Sequence, residues 1–174
     1  MPTLISGLEE ETLDLDWFAV DGQGEIGHFA TGGKGFLPPS VKASKENQSK
    51  LNAFFRKLTK NGEAIESPIL ASHVQFQTEA EANRYLEDYS YMAGRGLYSF
   101  DCFIARRRPT SYFLVARPSD PLTLEDLPKD IREVVRLTQF RGSFSKLNVI
   151  QESAFLLEHI TKQALEYNGR FERT

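Results

Sequence analysis

The chain has little from which a covalent or metal-held scaffold could be built. Its 174 residues include one cysteine, Cys102, so no internal disulfide can form and a reducing compartment such as the cytoplasm is expected. The three histidines include no pair four residues apart. Because a helical zinc site of the HExxH type needs that spacing, the sequence predicts no metal and no cofactor.

Long hydrophobic runs are also lacking. No stretch approaches the roughly 20 apolar residues that a membrane helix needs, and residues 1–11 lack the basic and apolar regions of a secretory signal. Hydrophobic residues make up 40 % of the chain and charged residues 26 %, a composition that can fold. We therefore expect one soluble cytoplasmic domain over residues 1–174, with no membrane partner, in which residues 1–12 could be loosely ordered.

Charge is of one sign at the start of the chain. Residues 1–33 hold seven acids and no lysine or arginine, and the net charge of the whole chain is −3. Nucleic-acid binding depends largely on basic side chains that neutralise phosphates, so a polyanionic partner is not favoured. The acidic start is either a solvated segment or a surface for a charged partner.

Two hairpins can be predicted from turn chemistry and apolar patterning. Asp21-Gly22-Gln23-Gly24 separates two extended segments, and Asp-Gly tolerates the positive φ of tight turns. Residues 97–104 and 111–117 are apolar, aromatic and β-branched enough for a second strand pair. Thirteen phenylalanines and six tyrosines predict an aromatic-rich core.

Helices are expected between and after these hairpins. Apolar spacing predicts one over residues 44–60, and Thr78 with Glu81 has the spacing of a capping box for the next, which should end at Gly94 or Gly96. Pro128 suits the first turn of a third, and residues 152–167 form the fourth. Residues 69–76 are a linker or short strand, and residues 135–144 stay ambiguous. The fold class is therefore α+β, an antiparallel or mixed sheet built from hairpins with about four helices mainly on one face.

The residues capable of chemistry form no recognisable catalytic set. Glycine spacing at residues 27–32 does not continue into a phosphate-binding loop, and Asp14, Asp16 and Asp21 do not match a calcium-loop pattern. We therefore lean against an enzyme. One alternative remains, a small-molecule-binding or enzymatic domain with a pocket between sheet and helices that contains His28, Asp101 or Cys102.

Three consecutive arginines, Arg106, Arg107 and Arg108, join the strands of the second hairpin. Together with the flanking aromatic residues they could form a small basic platform for nucleic acid, by backbone charge and base stacking. The acidic total charge favours a simpler interpretation, in which the arginines keep a hairpin tip soluble. Weak nucleic-acid binding through this basic patch is thus a second alternative.

Residues 16–38 read DWFAVDGQGEIGHFATGGKGFLP. This segment resembles the start of small uncharacterised bacterial proteins that open with D-W-F-A-x-D-x-x-G-x-I-x-x-F-x-x-G-G-x-G-x-x-P. It is also similar to immunity proteins of bacterial polymorphic toxin systems, where a W-x-x-x-D-x-x-G strand-turn-strand is common. The resemblance implies a bacterial cytoplasmic protein that binds and blocks a partner, and it brings no catalytic residues.

The sequence therefore favours a non-enzymatic binding protein of the toxin-immunity type, acting by surface contact with another protein such as a toxin. Acidic residues near the N-terminus would steer a basic nuclease towards it. The residues expected at the interface are Asp14, Asp16, Asp21, Lys34 and Phe36. A homodimer through an exposed edge strand stays open.

Overall fold

The computed structural model describes residues 1–103 and 111–155 of the chain. In these residues six strands form one sheet: β1 (Asp16–Val20), β2 (Ile26–Ala30), β3 (Ala64–Glu66), β4 (Tyr98–Cys102), β5 (Ser111–Pro118) and β6 (Val149–Gln151). The helices described are α1 (Gly7–Thr12), α2 (Pro39–Lys42), α3 (Lys45–Lys57), α4 (Leu70–His73), α5 (Glu79–Ala93) and α6 (Lys129–Val135). A short 3-10 turn covers Leu124–Asp126. In the part of the chain so described, no helix is both long and apolar enough to cross a membrane.

The sheet is mixed. Its strand order is β1-β2-β4-β5-β3, and β6 also pairs with β5. The hairpins β1–β2 and β4–β5 are antiparallel, whereas β2 and β4 are parallel because the chain crosses over through α2 to α5 between them. This arrangement confirms the predicted α+β class with a mixed sheet built from hairpins.

Asp21 closes the first hairpin, as its turn chemistry predicts. One oxygen of its carboxylate, Oδ1, accepts hydrogen bonds from the backbone N–H groups of Gln23 at 2.8 Å and Glu25 at 2.9 Å. Gly24 then takes a φ of 82°, a conformation that glycine adopts without strain. The other oxygen, Oδ2, accepts from the N–H of Phe144 at 2.8 Å, so the turn is also tied to a distant loop.

Two predicted helices form with small differences. Ser44 caps α3 by accepting from the N–H of Asn47, but α3 ends at Lys57 because Leu58 turns extended and packs against the core. Thr78 caps α5 as expected, and α5 ends at Ala93. The predicted reciprocal bond is wrong: the Glu81 carboxylate accepts from the N–H of Gln77 rather than from that of Thr78.

Several short elements cannot be predicted from patterns in the sequence. Residues 69–76 contain the single-turn helix α4 instead of a strand, and the three-residue strands β3 and β6 were not predicted. Residues 135–144 contribute one isolated bridge, Val20 with Gln139, rather than a full strand. Three residues are too few to show a periodicity in the sequence, so β3 and β6 are strands only because they pair with β5. The predicted helix over residues 152–167 lies almost entirely outside the described residues.

The two faces of the sheet are covered differently. Helices α3, α5 and α6 pack on one face, called here the helix face, over Phe18, Ile26 and neighbouring strand residues. The opposite, aromatic face is covered by the N-terminal segment, the loop before α2 and residues 140–155. The helices thus lie mainly on one face, as predicted.

Aromatic rings fill the core on the aromatic face. Trp17 stacks on Phe29 with ring centroids 4.1 Å apart, and Phe29 stacks on Phe100 at 4.8 Å. The indole N–H of Trp17 donates to the hydroxyl of Tyr112 at 3.2 Å. The prediction of an aromatic-rich core is confirmed, and the one polar atom of the indole is satisfied within it.

Candidate functional site

Three of the residues predicted at an interface lie close together. The carboxylate of Asp14 accepts from the N–H of Gly32 at 2.9 Å, which holds the segment after α1 against the glycine loop that carries Lys34 and Phe36. Lys34 is exposed, and Phe36 is half-buried against the aromatic core. Together with the exposed Leu13, these residues are called here the N-terminal surface.

The other two predicted interface residues face inward. Asp21 is 6 % exposed, and its carboxylate is engaged by three backbone N–H groups. Asp16 lies on the helix face, where its side chain is 16 % exposed and forms an ion pair with Arg56. Asp21 therefore stabilises the first hairpin, and Asp16 helps to hold α3 against the sheet.

Two further acids of the N-terminal segment are paired. Glu9 forms an ion pair with Lys45 at 2.6 Å, and Glu10 pairs with Lys42. The hydrogen bond from Lys45, followed by those from Ser6, lowers the pKa of Glu9 to about 2. The acidic run in the sequence therefore fastens α1 to α2 and α3, and much of its charge is balanced within the fold.

A line of polar side chains crosses the helix face beneath α3 and α5. His28 on β2 is fully buried, and its Nδ1 lies 2.7 Å from Ser99 Oγ on β4. Its Nε2 lies 3.3 Å from Asp16 Oδ1 on β1, but the two atoms are too poorly aligned for a hydrogen bond. We call Asp16, His28 and Ser99 the polar row. It resembles an acid–imidazole–hydroxyl chain, but both His28 and Ser99 are closed off from solvent.

Arg56 covers the outer end of the polar row. From α3 its guanidinium donates to the Asp16 carboxylate and, at 2.8 and 3.1 Å, to both oxygens of Asp88 on α5. Its Nε donates to Asn52 Oδ1 at 3.0 Å. Burial acts to raise the pKa of Asp16, but His28 and Arg56 outweigh it and the net shift is downward. The Asp16 carboxylate is thus held ionised between a sheet and two helices.

The same cluster contains a possible set of metal ligands. Asp16, His28 and Asp88 each offer one ligand atom, and these atoms all lie within 4.8 Å of one another. Two carboxylates and an imidazole are a donor set suited to divalent transition-metal ions. The Arg56 guanidinium occupies the open side of this set.

Asp101 and Cys102, the other residues of the predicted pocket, point to opposite faces. Asp101 lies on the helix face, where it accepts from the hydroxyl of Tyr85 at 2.7 Å, and burial raises its pKa. Cys102 lies on the aromatic face, where its thiol donates to the carbonyl of Thr31 at 2.8 Å. Burial raises the pKa of this thiol to about 12, so it is a protonated core residue. Cys102 therefore cannot share a site with His28.

Several residues of the cluster were not singled out from the sequence. Arg56 and Asp88 are half-buried residues of two different helices, and single charged residues are ordinary in the sequence of a helix. Ser99 follows a tyrosine in an apolar strand and has no motif around it. The basic patch Arg106, Arg107 and Arg108 lies outside the described residues.

Comparisons with protein-family models, curated proteins and solved structures find no match to this chain. Its function must therefore be argued from the geometry of its surfaces and clusters.

Proposed function

We propose that the chain is a non-enzymatic binding protein of the toxin-immunity type, which acts in the bacterial cytoplasm by surface contact with a partner protein. One observation supports the proposal: the carboxylate of Asp14 binds the glycine loop that carries Lys34 and Phe36, and together these residues form the N-terminal surface. This surface offers both charge signs and an aromatic ring.

The N-terminal surface is held in shape before any partner arrives. Gly32 and Gly33 take φ values of 56° and 76°, which few other residues tolerate, so the path of this loop depends on the two glycines. The hydroxyl of Tyr112 donates to the carbonyl of Phe36 at 2.5 Å. Since ordering a loop on binding costs free energy, a loop that is already ordered favours affinity.

The composition of this surface fits a protein partner. Leu13 is 45 % exposed and Leu8, on the preceding helix, is 72 % exposed. Exposed leucines of the segment that Asp14 ties to the glycine loop, together with Phe36, Asp14 and Lys34, match the mixture of apolar and charged side chains in protein interfaces. Because Glu9 and Glu10 are paired with lysines, charge steering would depend on the remaining carboxylates such as Asp14.

The interior supports the same proposal. In the described part of the chain, the imidazole and hydroxyl of the polar row, His28 and Ser99, and the thiol of Cys102 are fully buried. A substrate could reach them only by displacing the helices or the loops that cover the two faces of the sheet. Contact through the surface requires no such opening.

The test uses the product of the adjacent gene as the partner. We expect the two purified proteins to bind in a calorimetric titration, and we expect Phe36→Ala to weaken binding by about 30-fold, as loss of an aromatic anchor does. Lys34→Glu should weaken it as well. Lys129→Glu is the matched control, because Lys129 is 90 % exposed on α6, which packs on the opposite face of the sheet.

The proposal fails if the two proteins do not associate and deletion of the gene leaves growth normal. If they associate but Phe36→Ala and Lys34→Glu bind like the natural chain, the N-terminal surface is the wrong interface.

A further inference from the structure

One buried ring nitrogen in the polar row has no hydrogen bond. His28 Nε2 is buried and accepts or donates no hydrogen bond among the described residues, yet it faces Asp16 Oδ1 at 3.3 Å. In the tautomer that donates Nδ1–H to Ser99, Nε2 presents a lone pair to a carboxylate oxygen, and these two electron-rich atoms repel each other unless a cation lies against both. In the other tautomer the Nε2–H lies near that oxygen without the alignment of a hydrogen bond.

We propose that Asp16, His28 and Asp88 bind one divalent transition-metal ion, with Zn²⁺ as the best-matched ion. Their ligand atoms already lie within 4.8 Å of one another. The imidazole favours Zn²⁺ over Mg²⁺ and Ca²⁺, which prefer oxygen ligands, and the two carboxylates balance its charge. Three protein ligands leave one position of a tetrahedral ion for water.

Ser99 supports the metal ligand His28. Metal-binding imidazoles almost always donate their second ring N–H to a neighbouring acceptor, which fixes the tautomer and the ring orientation. The Ser99 hydroxyl, 2.7 Å from Nδ1, supplies that acceptor and leaves Nε2 as the metal ligand. The imidazole is therefore oriented before the ion binds.

Arg56 acts as the resident cation that the metal displaces. Its guanidinium bridges the two carboxylates, and its side chain is 36 % exposed, so it can swing into solvent. Asp88 is 46 % exposed, which gives the ion an entry path from the same side.

The experiment titrates the full chain, stripped of metal with a chelator, with Zn²⁺ in a calorimeter. We expect one ion per chain. Arg56→Gln removes the competing cation and should tighten binding by about tenfold, whereas Asp88→Asn removes a ligand and should weaken it by about tenfold or more. Asp130→Asn is the control, because Asp130 is an exposed carboxylate on α6 paired with Lys50, and it should bind like the natural chain.

A second measurement needs no substitution. Co²⁺ is added to the natural chain in place of Zn²⁺, and we expect visible absorption bands of a low-coordinate site and one paramagnetically shifted buried imidazole signal in the NMR spectrum. Circular dichroism of every variant checks that the fold is kept. This test uses no partner protein, so its failure is independent of the proposed function.

The proposal is overturned if the natural chain binds no Zn²⁺, or if only Arg56→Gln binds it. It is also overturned if Asp88→Asn binds like the natural chain, or if the Co²⁺ form shifts no buried imidazole. In those cases Arg56 alone balances the Asp16 carboxylate beside His28.

Discussion

His28 and Ser99 lie side by side on the two parallel strands at the middle of the sheet, with Nδ1 2.7 Å from Oγ and both side chains fully buried. A buried imidazole with one satisfied nitrogen is a specific feature of this core.

Ser99→Ala should destabilise the protein by about 1–3 kcal/mol, because it leaves a buried imidazole nitrogen without its partner. Urea unfolding measures the loss. Ser49→Ala on the exposed side of α3 is the matched control and should be neutral or slightly stabilising, since alanine favours the helix. Equal midpoints for the two variants would show that the contact with His28 contributes nothing.

Asp21→Ala should cost about 3 kcal/mol, because three backbone N–H groups lose their acceptor at once. Asp21→Asn keeps one side-chain oxygen as the acceptor for the turn, but its amide –NH₂ then faces the N–H of Phe144, which loses its acceptor. The loss of stability in Asp21→Asn should therefore be smaller than in Asp21→Ala. Thermal unfolding should rank the natural chain above Asp21→Asn and Asp21→Ala last. A reversed order would contradict the role of the turn.

Gly27→Ala should be destabilising by about 1–3 kcal/mol through overpacking. A methyl group at this position would lie 2.8 Å from the ring of Phe29 and 2.9 Å from that of Phe144. Gly7→Ala in α1 meets nothing within 4 Å and should be neutral or stabilising. Chemical denaturation measures the free energy of unfolding of the two variants, which carry the same substitution in a crowded and in an open position. Similar changes in the two variants would contradict the ring packing around Gly27.

Asp101 should make stability depend on pH. Burial raises the pKa of its carboxyl above the ordinary value of 3.8, so the folded chain holds this proton at pH values where the unfolded chain has lost it. The contribution of Asp101 is therefore fully present below that ordinary value and is lost as pH rises through the folded pKa. Relative to the natural chain, Asp101→Asn should gain stability over this range.

The measurement is urea unfolding of both proteins from acid to neutral pH. Tyr85→Phe provides a second comparison, because it removes a hydrogen bond that stabilises the ionised carboxylate, so the pKa of Asp101 should rise further and the loss of stability should continue to higher pH. Parallel pH profiles for the natural chain and Asp101→Asn would show that Asp101 has no shifted titration.

Local patterns in the sequence were sufficient for α3, α5, α6 and both hairpins, whereas α1, α2 and α4 were not predicted. The Asp21 turn, the Thr78 cap and the end of α5 before Gly94 depend on neighbours within a few residues, so their chemistry is visible in the sequence. The parallel pairing of β2 with β4 depends on a crossover of many residues, and no local pattern reports it.

The sequence by itself determined the class of the fold, its hairpins and its aromatic core, because periodicity and turn residues act over short distances. Only the tertiary structure decided that Asp16 meets Arg56, 40 positions away, and that Arg56 meets Asp88, 32 positions further on. Strand alternation by itself sends the adjacent Asp101 and Cys102 to opposite faces, but only the tertiary structure decided that Asp101 lies under the helices and Cys102 in the aromatic core. The physical reason is that sheet order and helix docking, rather than neighbouring residues, bring these charges together.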